Sequence, residues 1–120
     1  FVGFKGDPGA LANSLPFGHQ RLVEIARALA LAPRLLLMDE PASGLNDSET
    51  ERLGELVLRI AALGATVLLV EHDMRLVMGL ADRVVVMHHG EKIAEGAPDA
   101  IRRERSVIDA YLGGEAHAAA

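Results

Sequence analysis

The chain has 120 residues, half of them hydrophobic, and its 12 Lys and Arg against 17 Asp and Glu leave a net charge of −5. That length fits a single modest domain with a packed core, and the acidic balance argues against a nucleic-acid-binding face, which needs clustered basic residues. Without cysteine there is neither a disulfide nor a thiolate metal site, no apolar run approaches the ~20 residues that span a bilayer, and the N-terminus lacks the plan of a signal peptide.

Residues 1–14 are rich in Gly, Ala and Asn without a clear period, and they read as a loop or the frayed end of a preceding helix. The first residue is Phe1 rather than Met, so the chain is expected to begin inside a longer polypeptide. Leu15-Pro16-Phe17-Gly18-His19 opens a helical pattern, continued by Leu22, Ile25, Ala26, Leu29 and Ala30 at i, i+3, i+4 spacing. Pro16 suits a first turn, where its missing N–H costs nothing, and Pro33 stops the helix. A helix start with a glycine lets backbone N–H groups approach a phosphate, although an ordinary loop-to-helix start has the same composition.

Leu35-Leu36-Leu37-Met38 then runs into Asp39-Glu40-Pro41. A continuous apolar run of this length reads as a strand buried on both faces of a parallel sheet. The C-terminal edge of such a sheet is where an open α/β fold presents its chemistry. Two carboxylates there suit two tasks: one can hold Mg²⁺, and the other can orient or deprotonate a water. Alone, they could equally be two solvated side chains. Ser43-Gly44-Leu45-Asn46 reads as a turn ending in an N-cap, and it could also carry contacts across a dimer seam. Glu49, three residues on, completes a capping-box pattern.

The second helix presents Leu53, Leu56, Val57, Ile60 and Leu63 on one face, with Gly64 just past its end. Thr66 to Val70 is the next apolar strand. His72 lies just beyond it and could hydrogen-bond a γ-phosphate oxygen at the same edge, although a helix cap or a surface side chain reads equally simply. A short helix over about 74–80 leads to a strand over 83–87, and Gly90 marks a turn into a return arm over 92–96. His88 and His89 are adjacent, so strand alternation would point them to opposite faces and argue against a metal site. Pro98 can start a helix over about 99–104, the Arg102-Arg103-Glu104-Arg105 cluster reads as a solvated face, and a last amphipathic piece over 107–112 precedes a soft tail, 113–120.

Helix and strand alternate, so the expectation is an α/β fold: a mostly parallel sheet flanked by helices, with an antiparallel hairpin at its edge.

Taken in order, these pieces resemble the nucleotide-binding subunit of ABC transporters. Leu15 to His19 sits where that family has its signature loop, Leu-Ser-Gly-Gly-Gln, and Gln20 to Leu29 looks like the helix that follows. Leu35 to Glu40 resembles Walker B with its catalytic glutamate, Ser43 to Asn46 the D-loop, and His72 the switch histidine. The resemblance covers most of residues 15–96. Asn13 to Gly18 and the segment 107–113 look most like the ATPases of branched-chain amino-acid importers.

The resemblance implies a P-loop NTPase-like fold in which residues 1–14 precede, residues 15–96 form the C-terminal part of the nucleotide-binding domain, and 97–120 are a helical extension and tail. It implies ATP and Mg²⁺ as cofactors, with Asp39 on the metal and Glu40 and His72 catalytic. Gly18, His19, Gln20, Ser43 and Asn46 would contact nucleotide. It also implies a second ATPase subunit, identical or different, transmembrane permease subunits as partners, and a cytoplasmic place on the inner face of the cell membrane.

Departures accompany the match. Pro16 and Phe17 replace the signature serine and its first glycine, so a hydroxyl for the partner-bound γ-phosphate is missing. Asn46 replaces the D-loop aspartate. No Gly-x-x-x-x-Gly-Lys-Ser/Thr occurs in these 120 residues, so the phosphate cradle and the Q-loop are expected upstream, and the chain alone is expected to be inactive. The alternative expectation is a truncated, non-catalytic remnant that acts as a dimerisation or regulatory module.

Overall fold

A computed structural model describes residues 1–112; the tail 113–120 lies outside the described residues. The chain divides into two compact units, 1–76 and 77–120, with the division falling within one helix.

In the first unit a single 3-10 turn, Ala12–Ser14, precedes α1, Phe17–Leu29. Pro16 is the N-cap of α1 rather than a first-turn residue, so its extended φ, ψ ends the loop instead of starting the helix. Pro33 lies beyond the end of α1, and Ala32 takes a left-handed φ of 48° that turns the chain towards the next strand. Strand β1, Leu35–Asp39, pairs in parallel with β2, Thr66–Val70, in register Leu35↔Thr66 through Asp39↔Val70. Between them runs α2, Asp47–Ala62, the crossover that two parallel strands require.

Helix α2 is fixed at both ends. The Asn46 side chain accepts from the Glu49 N–H while the Glu49 carboxylate accepts from the Asn46 N–H, the expected capping box. Gly64, at φ 99°, closes the other end. Leu53, Leu56, Val57 and Ile60 are buried on its inner face, and together with Ile25, Leu36 and Met38 they form the core of this unit. The N-terminus is tied to α2 by Arg59, whose guanidinium lies 5.2 Å from the Phe1 ring centroid and donates to the Phe1 carbonyl at 2.9 Å.

One expectation from the sequence is corrected here. Among the described residues the two strands are covered on one face only. Leu36 and Met38 point into the core, but Leu35 and Leu37 are 54% and 65% exposed, and Leu68 and Val70 beside them are more than half exposed. Helix α2 packs against β2 and can shield only one side of a pleat whose side chains alternate. Both strands read as continuously apolar, and the described residues supply a cover for half of that surface.

Helix α3, Met74–Leu80, contains the division between the units. In the second unit β3, Val84–His88, pairs antiparallel with β4, Glu91–Gly96, with an irregularity between Val86 and Met87. His89 and Gly90 form the turn, at φ 47° and 79°. Positive φ at both central residues matches the twist of the flanking strands. The strand starts and ends one residue later than its hydrophobic pattern suggests. The parallel pair and the antiparallel pair are separate two-stranded sheets among the described residues.

The remaining turns are α4, Pro98–Arg103, with Pro98 in its first turn, and α5, Arg105–Val107, which runs into a π-helical turn, Ile108–Leu112. Val84, Val86, Ile101 and Val107 form the core of this unit. The Tyr111 hydroxyl donates to the Met87 carbonyl and ties the π-turn to the hairpin. On the outer side Glu95 accepts from both Lys92 and Arg83; the Lys92 ammonium, then the Arg83 guanidinium, hold its carboxyl below the usual range. No helix among the described residues is long and apolar enough to cross a membrane.

Candidate functional site

The sequence-predicted residues gather in two places in the first unit. The first is the C-terminal edge of the parallel pair. Asp39 is the last residue of β1, exposed, and its carboxylate makes no hydrogen bond or ion pair among the described residues. Glu40 follows with a left-handed φ of 45°, a conformation a non-glycine residue adopts only when its surroundings hold it there, and one that concentrates at functional sites. Its N–H donates to the Val70 carbonyl at 2.8 Å and carries the ladder one step past β1. Its carboxylate Oε1 lies 3.3 Å from Nδ1 of His72. Both side chains are largely exposed, so this pair is a matter of placement more than of stability.

Two parallel strands thus end at the same edge, and each delivers one of the two polar side chains that meet there. His72 and Glu40 are 32 residues apart in sequence. Glu71, between Val70 and His72, turns the other way: its Oε1 accepts the Ala42 N–H at 2.8 Å. The sequence reading did not single out Glu71. Its signal was only its place beside His72.

The second place is the start of α1 and the loop after Glu40. That loop is closed by Ser43 N–H to Glu40 O and Leu45 N–H to Ala42 O, each at 3.1 Å. Gly44 sits at φ 79°, and a Cβ there would lie 2.8 Å from the Phe17 ring. A Cβ at Gly18 would lie 2.6 Å from Oε1 of Glu49. Both glycines are therefore close-approach positions: Phe17 rests on the loop of Ser43 to Asn46, and Gly18 rests against the first turn of α2. Phe17 also carries the Arg21 guanidinium at 5.4 Å from its ring centroid.

Several predicted contact residues already have partners within the chain. Gln20 Nε2 donates to the Leu15 carbonyl at 2.9 Å. The His19 ring lies edge-on to Phe4 with centroids 5.3 Å apart. The Asn46 side chain is the N-cap of α2. Ser43 is exposed in its loop. The backbone N–H groups of the first turn of α1, including that of Gly18, are the ones a helix leaves unpaired.

The remaining histidines lie in the second unit. His88 ends β3, but His89 belongs to the turn, so strand alternation does not separate them; their rings meet edge to face at 4.1 Å, and His88 faces Tyr111 at 5.7 Å. Among the described residues no three His, Cys, Asp or Glu side chains are grouped to hold a metal ion. Asp39 offers a single free carboxylate. That suits a cation which takes one protein ligand and completes an oxygen shell with phosphate and water, as Mg²⁺ does.

The chain is similar to known proteins. Residues 91–117 match the family model described as branched-chain amino acid ATP-binding cassette transporter. The chain is 48% identical over 113 residues to the high-affinity branched-chain amino acid transport ATP-binding protein LivG of Salmonella typhimurium, across 93% of this chain and 44% of that protein. It is 48% identical over 103 residues to BraF of Pseudomonas aeruginosa, also named a high-affinity branched-chain amino acid transport ATP-binding protein, across 85% of this chain and 40% of that one. A crystal structure of the ADP conformation of an ATP-binding cassette of an ABC transporter superposes with a TM-score of 0.74 at 34% identity, over 83% of this chain and 41% of the other. The chain thus spans less than half the length of the relatives it matches.

Proposed function

We propose that this chain, which belongs to the ATP-binding subunits of ABC transporters, supplies the water-activating edge of a MgATP-hydrolysing site. The observation that carries the reading is the meeting of Glu40 and His72, 3.3 Å apart at the ends of two parallel strands. Glu40 orients and polarises the attacking water. His72 holds both the Glu40 carboxylate and a γ-phosphate oxygen, and so fixes the water in line. Asp39, with its carboxylate free, is the protein ligand for Mg²⁺. A cation held there would supply neutralisation of phosphate charge.

Residues 1–120 contain no glycine-rich cradle for the phosphates, so nucleotide binding draws on residues outside them. The first turn of α1 at Gly18, His19 and Gln20, with Ser43 and Asn46 of the neighbouring loop, contacts nucleotide bound to a second ATPase subunit. Backbone N–H groups at Gly18 serve there in place of the missing signature hydroxyl. Hydrolysis drives permease subunits at the inner face of the cell membrane. The names of LivG and BraF support branched-chain amino-acid transport as the process, and import is the direction proposed.

The test is steady-state hydrolysis and equilibrium ATP binding by the full-length protein carrying His72→Ala. Loss of one positioned group of this kind costs about 100-fold in turnover, with nucleotide binding retained. Turnover equal to that of the unmodified protein would overturn the reading.

A further inference from the structure

Between the strand end and the catalytic loop there is one long-range bond that the proposed hydrolytic roles do not use. Past Glu40, β1 meets Pro41, which has no N–H to give to β2. The next donor is Ala42, and a side chain takes it: Glu71 Oε1 accepts at 2.8 Å, 29 residues away in sequence. Glu71 is half-buried, and an acceptor withdrawn from water in this way is costly to remove, because the Ala42 N–H would be left without its partner. A backbone N–H bonded to a carboxylate is a charge-assisted hydrogen bond, shorter and stronger than a neutral one.

The bond is placed where it matters. Glu40 holds a left-handed φ of 45°, and that conformation persists only if both sides of the residue are fixed. On its N-terminal side the Glu40 N–H is fixed to Val70 at 2.8 Å. On its C-terminal side the first long-range anchor is Ala42 to Glu71, just past the end of β2. The same residue immediately precedes His72, so one carboxylate joins the loop that carries Glu40 to the segment that carries its partner.

We propose that Glu71 is a positioning residue for Glu40: by accepting the Ala42 N–H it holds the Pro41–Ser43 loop, and with it the Glu40 carboxylate and the facing His72, in the register in which a water can be oriented. The role is not a catalytic one; Glu71 acts through the backbone. The proposal rests on the hydrolytic role given to Glu40 above.

The experiment compares Glu71→Ala, Glu71→Gln and Glu40→Gln in the full-length protein, reading kcat and KM for MgATP and, without nucleotide, hydrogen exchange of the backbone amides over residues 40–46. Glu71→Ala is expected to speed exchange of the Ala42 amide and to lower kcat on the order of 10-fold or more, since a misplaced reacting group is costly, while KM shifts by about twofold at most. Glu71→Gln keeps an acceptor oxygen and is expected to restore both kcat and slow exchange. A Glu71→Ala protein with unchanged kcat overturns the proposal, whether or not exchange is faster, and so does a Glu71→Gln protein as impaired as Glu71→Ala. Continued hydrolysis by Glu40→Gln is a different failure, that of the proposed function, and it is read independently of the exchange at Ala42.

Discussion

Gly44 shows how a single position couples the two loops of the site. Its φ of 79° already disfavours any side chain, by about 1–2 kcal/mol for the left-handed backbone. A Cβ there would also press on the Phe17 ring at 2.8 Å. Gly44→Ala is therefore expected to destabilise the full-length protein by more than the backbone cost, and Phe17→Ala should recover the excess. In a thermal double-mutant cycle the two should couple by at least about 0.5 kcal/mol, the range typical of residues in contact; strictly additive effects would show that the ring and the loop are independent. Phe17 stands where the resembled family has a glycine, and Gly44 gives that larger side chain its room. At this scale the placement of Asp39, Glu40 and His72 at one sheet edge was legible, because Asp39 ends an apolar strand and the other two lie just past one. Glu71 was not, because its role depends on a loop geometry set by Pro41, and no periodicity encodes that. The left-handed φ of Glu40 was equally invisible: nothing in its residue type asks for it.

The elements were easiest to read where local chemistry and periodicity agree. Strands β1 and β2 fall at Leu35–Asp39 and Thr66–Val70, where their apolar runs place them, and α2 starts at the Asn46–Glu49 capping box expected from sequence. Removing that cap is the direct check. Asn46→Ala is expected to cost about 1 kcal/mol, as loss of an N-cap acceptor does, whereas Asn46→Asp keeps the acceptor and adds a charge favoured at a helix N-terminus. Denaturant unfolding of the full-length protein distinguishes them; equal midpoints for the alanine and unmodified proteins would mean that Asn46 does not cap α2 in solution. The elements misread from sequence are those set by tertiary packing or by turns. Pro16 ends the preceding loop instead of opening α1. His89 leaves its strand for a turn at φ 47°, and for that reason its ring meets that of His88 when alternation would have parted them.

For the whole molecule, the apolar face of β1 and β2 is the informative surface. Leu35, Leu37, Leu68 and Val70 are each more than half exposed on adjacent strands, a concentration that monomeric proteins avoid and that unpaired strand edges make worse. The isolated 120-residue chain is expected to self-associate and to bind a hydrophobic dye, and Leu68→Lys should reduce both; a monodisperse, dye-silent chain in sedimentation would contradict this reading of the face. A continuous apolar run indicates that a strand wants cover on both sides, but it does not say which residues provide it.

The central claim is that Glu40 activates water at a MgATP site, and the most direct test is Glu40→Gln in the full-length protein, with hydrolysis and nucleotide retention measured on the same preparation. The amide preserves shape and hydrogen bonding and removes the carboxylate that polarises the water. The account predicts that turnover disappears while MgATP stays bound. Undiminished hydrolysis, or loss of ATP binding along with turnover, would contradict it.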